Sequence, residues 1–310
     1  QLWKKIRVKC EQGRRTGLGP TGLGDTLAML NLRYGSQASI EMAEDIYRDI
    51  AVGAHTSSVA MARERGAFPI FNYDLEKGHE YLTKVIEACD NETQKSWKKT
   101  GRRNIALTTT APVGSISTLT KTTSGIEPAF LLSYKRRRKL VPGDDHNADF
   151  VDETGDRWQE YVVYHHNFKK WMEISGKEAP EDSPYCGATS NDIDWAQSVK
   201  IQEVAQQWVD HSISKTVNLP ADVTRELVSD VYLQAWKSGC KGLTVYRDGC
   251  RAGVLVATDE KEKSVDPSTL STKNAFKRPK ALPCDIHRLN VKGADGSTEA
   301  WLALVGIRDD

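Results

Sequence analysis

Apolar residues recur at helical spacing in the first third of the chain. From Ile40 to Arg65 they follow a period of 3.6 residues, and Gly66 is placed to end the helix. The pattern predicts one long amphipathic helix there and a shorter helix from Leu75 to Cys89. His55 lies in the middle of the long helix, where we expect a packed or surface imidazole rather than a metal ligand.

Helical and strand patterns alternate between residues 194 and 246. Trp195 to Val209 has helical spacing, Ser212 to Leu219 is rich in β-branched residues, and Gly242 to Tyr246 is a second short apolar run. Between the two runs, Asp222 can cap another helix. The residues predicted to face the core from that helix are Leu227, Val231, Ala235 and Trp236. This alternation with short connections favours a parallel sheet covered by helices, hence an α/β sheet or barrel.

The middle of the chain gives weaker patterns. Ala129 to Ser133 is predicted to be a short strand, and Lys135 to Lys139 is a basic cluster that we expect to be a solvated face or to neutralise a nucleotide. Asp144 to Asp192 is rich in Gly, Pro and charge, with a helical island from Trp158 to Met172. His165 and His166 have no partner at metal-ligand spacing and are expected at the surface.

A loop of small residues follows a predicted strand at Ile105 to Thr110. Pro112 and Gly114 end the strand, and Gly114, Ser115 and Ser117 allow amides and hydroxyls to surround an anion, most effectively if a helix begins there. A capped strand-to-helix turn without a ligand is the alternative.

Gly17 to Gly22 fits the G-x-G-x-x-G pattern of dinucleotide-binding folds. A proline lies inside it, no clear β-branched strand precedes it, and no acidic residue closes a short βαβ unit. We therefore do not predict a dinucleotide site here.

Composition narrows the class of protein. The chain of 310 residues is 39% hydrophobic and 27% charged with a formal net charge of +1, which indicates a globular protein without general attraction to nucleic acid or anionic lipid. We expect a nucleotide rather than a polymer as partner. No apolar run approaches the roughly 18 to 20 residues that span a bilayer, and no signal peptide is evident at the start, so we expect a cytoplasmic location.

The six cysteines form no C-x-x-C and no zinc-type spacing with histidine. We therefore predict no metal site and reduced thiols without an assigned redox role.

Four stretches of the sequence carry a resemblance to a known family. They read RRNIALTTTAPVGSIS followed by SGIEP (102 to 117 and 124 to 128), SISKTVNLP (212 to 220), GLTVYRDGCR (242 to 251) and RRTGLGPTGLGD (14 to 25). Together they resemble the C-terminal part of the ribonucleotide reductase catalytic chain, most closely that of the adenosylcobalamin-dependent class II enzymes. The resemblance implies the second half of a ten-stranded α/β barrel.

The resemblance also implies a site and its partners. The substrate phosphates would be held by a loop in which Val113 departs from the family pattern, and Tyr246, preceded by Val245, would lie near the site without relaying a radical. The loop consists of Ala111, Pro112, Val113, Gly114, Ser115, Ile116 and Ser117. The implied substrate is a ribonucleoside di- or triphosphate, reduced by thiyl-radical chemistry with adenosylcobalamin and an external dithiol from a thioredoxin-like protein.

The family's thiyl cysteine and N-x-C-x-E residues do not occur in these 310 residues, so no catalytic residue is predicted. We expect an N-terminal half of the barrel in the same gene product or a separate chain, and the start without Met favours a piece of a longer or processed product. The predicted domains are the barrel half at 1–256, a linker at 257–280 and the start of a small β module at 281–310. The alternatives are a nucleotide-binding or assembly module without turnover, and a dehydrogenase built around the Gly17 loop.

Overall fold

The computed structural model describes residues 1–140, 148–151, 156–248, 250, 256–257, 284–292 and 298–306. The chain divides into two units, residues 1–259 and 260–310. The helices of the first unit are α1 (Leu2–Gly13), α2 (Leu23–Met29), α3 (Gln37–Arg65), α4 (Tyr73–Glu76), α5 (Glu80–Glu87), α6 (Asn91–Thr100), α7 (Gly114–Thr120), α8 (His166–Ser175), α9 (Trp195–Gln206) and α10 (Arg225–Lys237). Its strands are β1 (Ser133–Lys139), β2 (Phe150–Val151), β3 (Arg157–Tyr164), β4 (Thr216–Leu219), β5 (Thr244–Arg247) and β6 (Val256–Ala257).

Four extended segments run parallel to one another at the centre of the first unit. Leu18 bridges Thr108, and Thr110 bridges Ile213. The chain continues from Ile213 into β4, which pairs in parallel with β5. The spatial order is therefore residues 16–18, 106–110, 211–219 and 244–247, with helices in each connection. This is the helix-covered parallel arrangement that the sequence predicts, although the described residues do not close into a barrel.

One face of these segments is covered by helices. Along residues 212–219 the odd positions are buried and the even positions are exposed or half-exposed, which is the alternation of a strand with one packed face. Val217 and Leu219 pack against Val231 and Ala235 of α10. The largest apolar cluster joins α2, α3, α5 and α9 on the same side as Ile213. Among the described residues, the opposite face is exposed or half-exposed and carries the polar side chains of Ser212, Ser214, Thr216 and Asn218.

Side-chain caps fix the starts of the main helices. Ser36 accepts a hydrogen bond from the amide of Ser39 at the start of α3, and Asp194 accepts from two amides of α9. Gly66 ends α3, as predicted. Thr224, not Asp222, caps α10, because its side chain lies one residue before the first turn and accepts from the Leu227 amide.

Some local predictions are wrong. The helix predicted from Leu75 to Cys89 is two pieces, α4 and α5, because Gly78 adopts a φ of +79° between them. The helical island from Trp158 to Met172 is a strand up to Tyr164, because β3 pairs in antiparallel register with all of β1. Trp236, predicted to face the core, is 73% exposed.

The basic cluster lies on β1, one of the two central strands of a second, antiparallel sheet with the order β2-β3-β1-β6. Strand β1 begins only at Ser133, so the predicted strand from Ala129 to Ser133 is displaced towards the basic residues. Lys135 and Lys139 are exposed and lie near Glu160 and Asp156 on the β3 side. The cluster therefore forms a solvated strand with local charge pairing.

The second unit is an antiparallel hairpin of β7 (Cys284–Lys292) and β8 (Thr298–Gly306), which pair over nine residues each. Apart from Ala257, the predicted linker at 257–280 lies outside the described residues. None of the helices that the structure describes is long and apolar enough to cross a membrane.

Candidate functional site

The loop of small residues follows the second parallel segment, at the carboxyl edge of the sheet. Its residues are exposed, apart from half-exposed Val113 and buried Ser117, and a helix, α7, begins at Gly114. Val113 at the N-cap supplies no side-chain hydrogen bond to the first turn. Since the first amides of a helix have no partner within it, this turn offers N–H groups to an acceptor from outside.

The serines of the loop have different roles. Ser115 lies exposed on the first turn. Ser117 is 7% exposed, its hydroxyl donates to the Gly114 carbonyl at 2.9 Å, and its amide donates to the Val113 carbonyl. The Ser117 donors are therefore used within α7, whereas the Ser115 side chain is exposed to solvent.

The turn at residues 121–125, called the return turn below, packs beside the loop. The Thr122 amide donates to the Ser117 carbonyl at 3.0 Å, which closes the end of α7. Gly125 has a φ of +55°, and a Cβ there would lie 3.1 Å from the Ala111 carbonyl oxygen. Both the backbone conformation and the limited space therefore favour glycine at this position.

The glycine-rich segment packs against the same loop. A Cβ on Gly19 would lie 2.0 Å from the carbonyl oxygen of Thr109. The Thr21 hydroxyl donates to the Thr123 carbonyl and accepts from the Gly125 amide, both at 3.2 Å. The glycines therefore allow two backbones to approach.

Asp25 on α2 connects this segment to the return turn. The residue is 1% exposed, and each carboxylate oxygen accepts two hydrogen bonds. The donors are Thr123 N at 2.7 Å, Asn167 Nδ2 at 2.8 Å, His165 Nε2 at 2.7 Å and Tyr185 Oη at 2.7 Å. Burial by itself raises the pKa of this carboxyl, but the hydrogen bonds and charge of its partners, His165 above all, hold the pKa below its ordinary value.

His165 is therefore not the surface residue that its sequence context predicts. Its side chain is 15% exposed, and its Nε2 must carry a proton, because the carboxylate oxygen opposite can only accept.

A second carboxylate, Glu127, joins the return turn to β4. One of its oxygens lies 3.0 Å from the Lys215 ammonium, and the other accepts from the Thr216 amide at 2.6 Å. The Lys215 side chain is fully buried, with its ammonium 5.5 Å from the centre of the Tyr34 ring. Strand β4 is thus connected to the loop through an ion pair.

The strand that leads into the loop is held at its start by Asp210. The carboxylate accepts from the Leu107 amide at 2.6 Å and from the Thr108 amide at 2.9 Å. The Leu107 and Thr108 amides thus bond a carboxylate instead of the carbonyls of a neighbouring strand. The predicted strand from Ile105 to Thr110 is therefore an extended segment with two isolated bridges.

Tyr246 lies on β5, opposite Asn218 in the parallel register, and is half-exposed. Both residues belong to the open face of the sheet, since their neighbours Val217 and Val245 pack towards the helices. The segment that leads into the loop is two strand spacings from β5, about 10 Å. No hydrogen bond joins Tyr246 to the described residues of the loop.

The thiols that the structure describes are free, at Cys10, Cys89, Cys186, Cys240 and Cys250. Burial raises the pKa of Cys240 to about 11, which disfavours its thiolate. No group of three or more metal-ligating side chains comes together within the described ranges.

The sequence interpretation missed Asp25, Asn167, Tyr185 and Lys215. The one local signal for Asp25 is an acidic residue inside an otherwise apolar and small stretch, Leu23 to Met29. Its three side-chain partners follow 140 to 160 positions later, beyond the reach of any sequence spacing.

These features define an α/β domain whose parallel segments carry a glycine- and serine-containing loop at their carboxyl edge, where ligands bind in open α/β sheets. The chain belongs to the ribonucleotide reductase barrel-domain family, whose model matches residues 2–246.

Its relatives include B12-dependent enzymes. It is 32% identical over 256 residues to a vitamin B12-dependent ribonucleoside-diphosphate reductase of Mycobacterium tuberculosis, covering 79% of this chain and 33% of the relative. The enzyme of the same name from Thermoplasma acidophilum is 30% identical over 84% of this chain and 33% of its own length. The ribonucleoside-diphosphate reductase subunit alpha of Helicobacter pylori is 26% identical over 77% of this chain and 29% of its own length. The chain spans about a third of the length of these relatives.

Proposed function

We propose that this chain is part of a ribonucleotide reductase that converts ribonucleotides to 2′-deoxyribonucleotides for DNA synthesis, and that it supplies the loop for the substrate phosphates. Family membership supports the reaction class. The observation that carries the assignment of the loop is the exposed first turn of α7, which has no side-chain cap at the carboxyl edge of the parallel segments.

Within this proposal the loop residues have different roles. The amides of Gly114, Ser115 and Ile116 and the Ser115 hydroxyl donate to phosphate oxygens, while Ala111, Pro112 and Val113 set the direction of the chain. Ser117 shapes the turn through its bond to Gly114. The substrate is a ribonucleoside di- or triphosphate.

We propose further that residues 1–256 are the second half of a ten-stranded barrel, that 257–280 is a linker, and that 281–310 begins a small β module. The open polar face supports this, because purely parallel sheets occur almost only with both faces covered. The face would become the barrel interior when an N-terminal half covers it, and Tyr246 would then lie near the reacting ribose. We place the complete protein in the cytoplasm with a thioredoxin-like dithiol as reductant.

The cobalamin cofactor is proposed for the complete protein only. Thr216, Asn218 and Tyr246 on the open face are half-exposed and form one wall rather than an enclosure, so the described residues do not by themselves fit a corrin. Relatives that are named vitamin B12-dependent are the support for this cofactor. We assign no step through it to residues of this chain.

The proposal is tested by assaying ribonucleotide reduction with adenosylcobalamin and a dithiol, with and without the polypeptide that precedes this chain in its relatives. Activity is expected only when both parts are present. Absence of reduction and of nucleotide binding in the combined protein would contradict the proposal.

The loop is tested separately with Ser115→Ala. Loss of a hydroxyl that donates to phosphate is expected to weaken nucleoside phosphate binding by about 1 to 3 kcal/mol. Thr118→Ala is the matched control, because the Thr118 hydroxyl donates to the Gly114 carbonyl on the same helix. Unchanged affinity in Ser115→Ala would remove this side chain from the site.

A second candidate function is a nucleotide-binding or assembly module of a split reductase without its own turnover. The observation that favours it is the absence of an N-x-C-x-E sequence from these 310 residues. Binding of nucleotide without restoration of reduction on mixing would support this candidate.

A further inference from the structure

The return turn after α7 is held by one buried carboxylate and one buried amide. Asp25 Oδ2 accepts from the Thr123 amide at 2.7 Å, and the Asp25 amide donates to the Thr123 hydroxyl at 3.2 Å. Asn167 Nδ2 donates to the same Oδ2 and also contacts the Lys121 carbonyl at 3.3 Å. Two positions of the turn are therefore fixed from α2 and from the start of α8.

Helix α7 depends on such contacts because it has seven residues. Helices this short are marginal in water, so tertiary contacts rather than propensity must hold its axis. Lys121 ends α7 in the left-handed region, with a φ of +58°, which is uncommon for a residue other than glycine. Asn167 holds the strained C-terminal end of α7 through the Lys121 carbonyl, and this contact restricts the direction of the helix and of its first turn.

We propose that Asp25 and Asn167 are positioning residues of the phosphate loop, acting through Thr123 and Lys121 on the direction of α7. The inference rests on the proposed function of that loop. Neither side chain reaches the exposed first turn, so their effect is on how well the turn is organised before the ligand arrives.

The four hydrogen bonds to Asp25 provide a matched pair of variants. Asn167→Ala removes a donor that also holds Lys121. Tyr185→Phe removes a donor to the other carboxylate oxygen, at 2.7 Å, which has no bond to the turn. Both variants lose one hydrogen bond to the same buried carboxylate, and only Asn167 touches the turn.

The first measurement is amide hydrogen exchange of the 310-residue chain. Asn167→Ala is expected to speed exchange at Thr122 and Thr123 by about tenfold, the factor that corresponds to losing one hydrogen bond to a charged group. Exchange within α3 is the internal reference and stays unchanged. Tyr185→Phe is expected to leave the exchange rates of both amides unchanged. Equal changes in the two variants would overturn the proposal.

The second measurement is substrate kinetics in the complete reductase. Asn167→Ala is expected to raise KM for the ribonucleotide by about tenfold with little change in kcat, because a misdirected turn binds the phosphates less well. Tyr185→Phe leaves KM unchanged. A fall in kcat at constant KM would contradict a positioning role in phosphate binding.

Asp25 itself is tested with two substitutions. Asp25→Asn is expected to keep the turn ordered, because its amide oxygen still accepts from Thr123. Its NH2 group then donates to His165 Nε2, in the tautomer with the proton on Nδ1, and to the Tyr185 oxygen, whose hydroxyl rotates away. Asp25→Ala is expected to disorder the turn, because it removes the acceptor of the Thr123 amide. If Asp25→Ala does not fold, the comparison of Asn167→Ala with Tyr185→Phe decides the question.

The outcomes separate the two proposals. If the complete wild-type protein binds no nucleotide, the proposed function fails, and the exchange pattern still shows whether Asn167 orders the turn. If it binds nucleotide and Asn167→Ala changes neither exchange nor KM, the proposed function stands and the positioning role is wrong.

Discussion

The Lys215 ammonium, on a side chain with no exposed surface, lies 3.0 Å from a carboxylate oxygen of Glu127. Glu127 follows the return turn, and Lys215 precedes β4, so the pair connects the loop to the parallel sheet across 88 positions of sequence. A buried cation is costly without a partner, and the Glu127 carboxylate is the anion that compensates it.

Removing the cation tests this connection. Lys215→Met is expected to lower the free energy of unfolding by about 2 to 3 kcal/mol, below the usual cost of breaking a buried pair because the Glu127 side chain is 25% exposed. Denaturant unfolding measures it. Lys200→Met removes an exposed ammonium that pairs with Glu203 on α9. It is the control and is expected to cost less than about 0.5 kcal/mol.

The double variant Glu127→Gln/Lys215→Met is expected to recover part of the lost stability, because it leaves no unpaired charge. Additive effects of the two substitutions would show that Glu127 and Lys215 are not coupled.

Gly19 is expected to tolerate no side chain. Because a Cβ would lie 2.0 Å from the backbone oxygen of Thr109, Gly19→Ala must move one of two backbones and is expected to cost about 2 kcal/mol or more. Gly53→Ala on α3 is the control. It meets nothing within 4 Å and replaces a glycine inside a helix, so it is expected to stabilise by about 0.5 to 1 kcal/mol. Thermal unfolding of both variants gives the comparison, and a harmless Gly19→Ala would refute the close packing.

His55 is expected to make stability depend on pH. Burial lowers its pKa to about 4, its Nδ1 donates to the Ala51 carbonyl, and its Nε2 has no hydrogen-bond partner among the described residues. In the unfolded chain the pKa is about 6.5, so between pH 6.5 and 4 the unfolded state binds a proton that the folded state does not. The free energy of unfolding therefore falls by about 2 to 3 kcal/mol as the pH drops through that range.

His55→Leu removes the titrating group and is expected to flatten this part of the pH profile. Urea unfolding at intervals between pH 4 and 7.5 measures the difference. Parallel profiles for the two proteins would show that His55 takes up a proton in the folded state as readily as in the unfolded chain.

Arg102 is expected to be irreplaceable by lysine. Its guanidinium is buried, bonds Glu76 through two nitrogens and donates to the Asn104 carbonyl at 2.7 Å. Lysine has no planar fork, so Arg102→Lys is expected to cost about 1.5 to 3 kcal/mol in chemical unfolding. Arg63→Lys, at an exposed pair with Glu92, is the matched control with little effect. Similar losses in both would contradict the role of bidentate geometry.

Local sequence predicted the elements whose signals lie close together. The long helix α3, its end at Gly66, the helix α9 and the loop that opens α7 are all confirmed, because periodicity, caps and small residues act within a few positions. Parallel pairing of β4 and β5 also follows, since a helix joins them. Residues 158–164 are predicted in the wrong class, because pairing with β1 overrides their weak helical pattern.

The sequence by itself determined three of the four parallel segments, those near residues 105–110, 212–219 and 242–246, and the loop of small residues that follows the first of them. Only the tertiary structure decided which polar groups meet behind that loop. Asp25 and His165 are 140 positions apart, and nothing in either neighbourhood specifies the other. The physical reason is that a buried carboxylate needs several donors at once, and a folded chain can bring these from distant segments, whereas local patterns record only which face of an element is apolar.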